Sequence, residues 1–456
     1  MNSDHTHLLK WIFIGSLALL IYFCGLLTGI HRLLPAQIWL ESVSALKDWE
    51  DNWVYYLGIK EAIPNFAVSV NHDFAGVDIY DKELVDDRLM LIAGFWGEGS
   101  AVRLVDLDAN VLHEWRLPFE DLWADTPDML NSTMTIEQHI GAAHLYPTGN
   151  LLVTYHYGGI ALLNPDSGVI WRIPIPSHHS LDVDETGNIW VPSKRLFTDY
   201  RDEYPNLEPP YWDDLLVKIS PDGEILEQIS LFDIIYHSDL KGILFANGTR
   251  FPVHFEKEGG DITHLNDIEV LSTEKAMAFP LFDAGDMLIS VRNLNLIAVI
   301  DGKDYLIKWH MIGPFLRQHD PDFLDDGTIS VFDNHSEVVT DVPVFGQSRI
   351  LVINPNDNTC NLMYSGAGKE PFFSRIKGDH TILSNNHLLI TVSTVGRLFE
   401  VTPDGKVVWS YYSRYDSNHT AMIASSYPIE RSAYPFHEIL NEFKSKVNSE
   451  LAGEKK

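Results

Sequence analysis

Hydrophobic and polar positions change pattern twice along the chain of 456 residues. The first pattern is an apolar run without a charge, from Trp11 to Ile30. It is long enough to cross a bilayer as one helix. It leads into His31-Arg32-Leu33-Leu34-Pro35 rather than a small-residue cleavage site, so it reads as a transmembrane helix over 11–30 behind a short tail over 1–10. Lys10 and Arg32 stand on opposite sides, and charge does not set its orientation. Residues 31–65 follow as a helical stalk, with Trp39, Leu46, Trp49 and Trp53 near helical spacing until Pro64 breaks it.

From residue 66 the pattern becomes short β-type runs punctuated by Gly, Asn and Asp. One hairpin recurs six times: Ala101–Trp115, Gly159–Trp171, Asp214–Gln228, Leu296–Trp309, Arg349–Met363 and Arg397–Trp409. A second hairpin precedes each copy, with turns at Asp87, Gly149-Asn150, Gly187-Asn188, Gly285-Asp286, Gly327-Thr328 and Asn385-Asn386. Two hairpins make four antiparallel strands, the content of one propeller blade. Six units predict an all-β fold, a six-bladed β-propeller over 66–425. A β-sandwich of the same strands would not require two alternating hairpin types. The longest interval between units holds Leu231–Thr263, which reads as a lid or rim loop. The tail over 426–456 reads as a short helix with Phe436, Leu440, Phe443 and Val447 on one face.

A formal charge of −31 removes nucleic acid from the partners, because phosphate binding needs a basic face. An anionic substrate would be repelled at long range, so its site must concentrate Arg, Lys or His locally. The two cysteines, Cys24 in the apolar run and Cys360 in the repeats, predict no intrachain disulfide.

Registering the first hairpins on their turns places His156, Lys194, Arg292, Asn334 and Ser393 seven residues after the turn in blades two to six. His179 and His319 stand eight residues before it in blades three and five, and blade four supplies His264 in His264-Leu265-Asn266-Asp267. Positions equally far from a tight turn face each other across a hairpin. Sixfold repetition carries that level round to a common axis, so these side chains should line one pocket. A single histidine would be a satisfied loop residue; three in corresponding slots beside an Arg point to a site.

His179-Ser-Leu-Asp182, His264-x-Asn266 with Ser290-Val-Arg292-Asn293, and Gln318-His319-Asp320 with Asp333-Asn334 resemble the successive motifs of the bacterial PAPS-independent arylsulfotransferases. The resemblance implies a six-bladed propeller that moves a sulfuryl group from an aryl sulfate donor to a phenolic acceptor. It implies His319 as the nucleophile, giving a sulfohistidine in a ping-pong cycle. Arg292 and His264 would hold the sulfuryl oxygens, and His179 would complete the catalytic set. Asn266, Asn293, Asn334, Lys194 and His156 would contact substrate. No cofactor and no metal is implied. The resemblance also implies export, so the propeller is expected on the periplasmic side of the inner membrane, anchored in the lipid bilayer, with a homo-oligomer possible.

Sulfuryl transfer spreads negative charge over equatorial oxygens, so catalysis is positioning plus charge stabilisation. A planar guanidinium and a neutral imidazole suit those tasks. No P-loop is present to cradle a nucleotide donor. Two other readings stay open here: a metal-dependent hydrolase or lyase built on His179, His264 and His319, and a propeller that binds a partner without catalysis.

Overall fold

The computed structural model describes residues 15–25, 67–69 and 76–431, apart from 97–98, 127–138, 206, 208, 247–259, 338–342, 368–369 and 417. Two compact units divide at Pro64. In the first, residues 15–25 are helical and exposed. No helix among the described residues is long and apolar enough to cross a membrane, and the expected span over 11–30 lies only partly within them. The expected stalk and the expected C-terminal helix from residue 432 onward fall outside the described residues.

Six sheets, each built on four antiparallel strands, form the blades of the second unit, which excludes the sandwich; two of them carry a fifth strand, and Ala67–Ser69 pairs with His419–Ala421 in a small separate sheet. Blade two is typical, running outward from the axis through Ile140–Leu145, Leu151–Tyr155, Gly159–Leu163 and Val169–Ile173. Middle strands such as Leu388–Val392, Met287–Val291 and Leu296–Ile300 are buried at every position. Each has blades on both faces, so both faces must be apolar. Outermost strands such as Thr359–Tyr364 are mostly exposed or half-buried.

The core is a ring of six apolar layers between adjacent blades. In blade one, Leu89, Leu91 and Ala93 pack against blade two, while Met90 and Ile92 on the same strand pack against blade six. Further layers join blades two and three, three and four, four and five, and five and six. Period-two alternation thus feeds two cores from one strand.

Closure departs from the sequence expectation. Asp87 is not a hairpin turn. The innermost strand of blade one is Ile423–Glu430, from the far end of the propeller, pairing antiparallel with Arg88–Trp96. The segment ahead of Asp87, Gly76–Tyr80, instead adds a fifth strand to the outer edge of blade six. The β-structure therefore extends past residue 425 to Glu430. Both ends of the domain cross the seam between blades one and six, and neither leaves a bare edge there. At the same seam Arg88 pairs with Glu400, both buried, and Glu400 Oε1 also meets His387 Nδ1 at 2.6 Å. The long interval after blade three folds partly into helices Leu231–Tyr236 and Lys241–Ala246. Leu231, Phe232, Ile235 and Leu244 are buried with blades three and four, so this part of the expected lid is a packed buttress.

Removing one partner of a buried ion pair leaves the other charged and unsolvated. Glu400→Ala should therefore lower the unfolding free energy by about 3–5 kcal/mol. Urea midpoints read this; a loss under about 1 kcal/mol, the size of a surface pair, would mean that the seam does not rely on Arg88 and Glu400.

Candidate active site

The inner strands start on a repeated irregularity. Their registers shift by one residue just after the first pair, at Ile140, Leu265, His319 and Ile423. Such bulges re-aim the flanking side chains. His179 and His264 also hold a left-handed backbone, each at φ 58°, immediately before or near their inner strands. That conformation is strained for a residue with a Cβ and persists where surrounding structure enforces it.

The three imidazoles come together from blades three, four and five. The His179 and His264 rings lie 4.8 Å apart, and the His179 and His319 rings 6.0 Å apart. All three side chains are buried. The expected convergence of distant slots on the axis is what the structure contains.

Hydrogen bonds fix the state of His319. Asn334 is fully buried, and its Nδ2 donates to the carbonyls of Ser374 at 2.9 Å and Lys377 at 2.6 Å. Its amide can therefore point only one way, with Oδ1 toward His319 Nδ1 at 2.7 Å. The Arg317 carbonyl lies 3.1 Å from the same nitrogen. Two acceptors at Nδ1 place the proton there and leave Nε2 with a bare lone pair. That Nε2 is buried and has no hydrogen-bond partner among the described residues. Burial first, and the Arg292 charge second, push the His319 pKa down to about 3, so the ring is neutral near pH 7.

His179 and His264 belong to a relay. His178 Nδ1 meets His179 Nδ1 at 2.9 Å, His179 Nε2 meets His264 Nε2 at 3.3 Å, and His264 Nδ1 meets Asp261 Oδ2. With Nδ1 of His264 donating to the carboxylate, each nitrogen pair shares one proton. Burial, then Arg292, pushes the His264 pKa down to about 4. Burial pushes Asp261 up, but His264, Lys194 and Arg292 together hold it below the ordinary carboxylate range. The pair is best described as carboxylate and neutral imidazole. Because both nitrogens of His179 and of His264 are engaged, the three histidines do not offer three free lone pairs to one metal ion.

Arg292 extends the cluster: its Nη2 lies 3.8 Å from Asp261 Oδ2, and its Nε donates to Asn293 Oδ1 at 3.2 Å. Asn293 Oδ1 also accepts from Arg317, while its Nδ2 donates to the Asp261 carbonyl at 2.7 Å. Two of the expected substrate contacts also brace the site. Asn334 and Asn293 spend their amides on holding His319, Arg292 and Arg317. Asn266 Nδ2 donates to the Gln318 carbonyl at 2.8 Å, and Asn266 lines the central channel. Lys194 Nζ is boxed by the rings of Tyr157 at 3.8 Å and Trp212 at 4.5 Å. The His156 ring stands 5.2 Å from that of His179.

Four participants escaped the sequence reading. Asp261, His178 and Arg317 have no slot of their own, since two precede a recognised histidine by two or three positions and one adjoins it. Lys377 carried a usable signal: it stands one position from the slot in blade six that corresponds to His179 and His319. It is buried, which lowers its pKa to about 8, and it lines the channel.

That channel has a volume of about 1000 Å³, and His179 and His319 stand at its boundary while His264 and Arg292 lie off its wall. The two sides differ in charge. Arg292 and Arg317 gather on the His264 side, whereas the channel wall carries Asp182, Asp267, Glu269, Asp320, Asp322 and Asp379.

Comparison with known proteins adds the following. The family model described as arylsulfotransferase (ASST) matches residues 145–414. No curated protein matches the chain. Among solved structures, a protein of unknown function from Bacteroides caccae is 14% identical over 75% of this chain and 99% of that one, with a TM-score of 0.47. Virginiamycin B lyase from Staphylococcus aureus is 13% identical over 60% of this chain and 70% of that one, with a TM-score of 0.34. The Pan2 WD40 domain of Neurospora crassa is 9% identical over 78% and 94%, with a TM-score of 0.41. Likeness at these levels says nothing of chemistry.

A histidine held below its ordinary pKa binds its proton later than the unfolded chain does, so acid favours unfolding. Between pH 7 and 5 the wild type should therefore lose up to about 2 kcal/mol relative to His264→Gln, whose side chain does not titrate. Urea unfolding of both proteins at the two pH values reads the difference. A gap that stays constant would mean that His264 is not depressed.

Proposed function

This chain belongs to the arylsulfotransferase family, and on that premise we propose that it moves a sulfuryl group from an aryl sulfate to a phenol through a covalent intermediate on His319. The observation that carries the reading is the bare, buried Nε2 of a neutral imidazole beside a guanidinium. A lone pair held in that state is a competent nucleophile, and splitting the transfer lowers each barrier.

In the first step Nε2 attacks sulfur, and the sulfur–oxygen bond to the aryl group breaks with its electron pair leaving on the phenolate oxygen. Arg292 offers its planar donors to the sulfuryl oxygens, where charge develops. The sulfated ring keeps its Nδ1 proton, with Asn334 Oδ1 accepting it. The phenolate departs with its electron pair and takes its proton from solvent. In the second step the neutral His179–His264 pair accepts the proton of the acceptor phenol as its oxygen attacks sulfur and the nitrogen–sulfur bond breaks; Asp261 stabilises the protonated pair, which then releases the proton to solvent. Donor and acceptor thus alternate at one site, a ping-pong cycle that needs no nucleotide donor. A sulfate ester carries negative charge, so approach from the Arg292 side is favoured over the carboxylate-lined channel.

The uncharged run over 11–30 supports a single-pass anchor with the propeller on the periplasmic side of the inner membrane. That placement rests on the sequence pattern and the family resemblance.

With 4-nitrophenyl sulfate as donor and a phenol as acceptor, His319→Ala should abolish transfer while its far-UV spectrum matches the wild type. Arg292→Lys, which keeps the charge but loses the fork, should lower kcat by about 10²–10³. Wild-type turnover in His319→Ala would remove the assignment.

A further inference from the structure

The channel on the other side of His319 holds a second constellation, separate from the imidazole relay. The inner strand of blade five supplies Asp320 and Asp322, and that of blade six supplies His380. One potential ligand atom from each lies within 4.8 Å of the others. Carboxylates alone would mean little, since acidic groups gather on many protein surfaces. The histidine is what distinguishes this group.

His380 is buried, with its side chain wholly inaccessible. Asp320 Oδ2 accepts from the His380 backbone N–H at 2.5 Å and from the ring Nδ1 at 2.8 Å. With the proton on Nδ1, Nε2 carries a lone pair. That atom has no hydrogen-bond partner among the described residues, and it stands 3.7 Å from Asp322 Oδ2. A nitrogen lone pair and a carboxylate oxygen therefore face each other across a buried gap too wide for a hydrogen bond. The contact is repulsive unless a proton or a cation lies between them. A ring N–H given to a carboxylate while the other nitrogen points at a cation is also how ligating histidines are usually oriented.

Among the described residues that line the channel, the cations are Lys275 and Lys377, and Lys377 interacts with Asp379. Lys275 Nζ is committed to Glu269 Oε1 at 2.9 Å. We propose that Asp320, Asp322 and His380 bind a divalent transition-metal ion in the central channel, joining the inner strands of blades five and six. One imidazole nitrogen with carboxylate oxygens suits Mn²⁺ or Zn²⁺ better than Mg²⁺ or Ca²⁺, whose preferred ligands are all oxygen. Bonds of about 2.0–2.2 Å put neighbouring donors about 3–3.6 Å apart, so the three, now within 4.8 Å of one another, must draw in on binding. Water in the channel would complete the coordination. The role is structural: the ion neutralises the channel wall and ties two blades at the axis. It makes no demand on sulfuryl transfer, and its test is independent of that reading.

The full chain, purified in detergent and stripped with a chelator, is titrated with Mn²⁺ while the free-ion electron paramagnetic resonance signal is followed, and thermal unfolding is read with and without Zn²⁺. The wild type should take up one equivalent and unfold at a higher temperature with metal. Asp322→Asn and His380→Gln should each weaken uptake by at least about tenfold and lose the thermal shift, with far-UV spectra unchanged in chelator. If His380→Gln fails to fold, Asp322→Asn decides alone, since it preserves shape. Uptake no greater than background in the wild type, or equal uptake by wild type and Asp322→Asn, would overturn the site.

Discussion

The orientation of one amide governs the site. Asn334 donates to two backbone carbonyls of one neighbouring loop, and this leaves its oxygen only one direction to face. The proton on His319 follows to Nδ1, and the lone pair follows to Nε2. Nothing else in the cluster sets that tautomer as firmly, because the Arg317 carbonyl at 3.1 Å merely reinforces it. The carbonyls in turn belong to the approach to blade six, so the reactive nitrogen depends on how blades five and six meet. Apolar packing between those blades, through Phe332, Ile350, Ile390 and Phe399, holds that distance. The chain of cause therefore runs from alternating apolar residues to a ring of cores, and from there to a single proton.

Charge is the second constraint. A chain with a net charge of −31 repels sulfate esters, yet it gathers Arg292, Arg317, Lys194 and Lys377 around three neutral imidazoles. Burial keeps those imidazoles neutral, and the neighbouring cations keep them so in mild acid. On the far side of His319 the channel reverses sign, with eight carboxyls against two lysines on its wall. The axis thus carries a cationic level and an acidic level, and His319 stands between them.

Much of this was readable before any coordinates. Alternating hairpins gave blade number and order, and turn-based register brought His179, His264 and His319 to one level. Two kinds of feature were not readable. Closure depends on which strand lies beside Arg88–Trp96, and no local pattern reveals that Ile423–Glu430 arrives from the other end of the domain. Side-chain partners depend on rotamers and bulges, which spacing does not encode. Spacing therefore did not show that Asn334 and Asn293 brace their neighbours, and Asp261 was invisible although it stands three residues before His264. Lys377 was nearly found, and a register counted from Asn385 rather than Asn386 would have marked it.

The account turns on whether His319 Nε2 carries the sulfuryl group between donor and acceptor. Incubating the full-length protein with an aryl sulfate alone, then digesting it under mildly basic conditions for mass spectrometry, tests this most directly. A +SO₃ adduct on the peptide containing His319, discharged when a phenol is added, is the predicted result. Full transfer activity with no adduct on that peptide at any time, or an adduct that persists after the phenol is added, would contradict it.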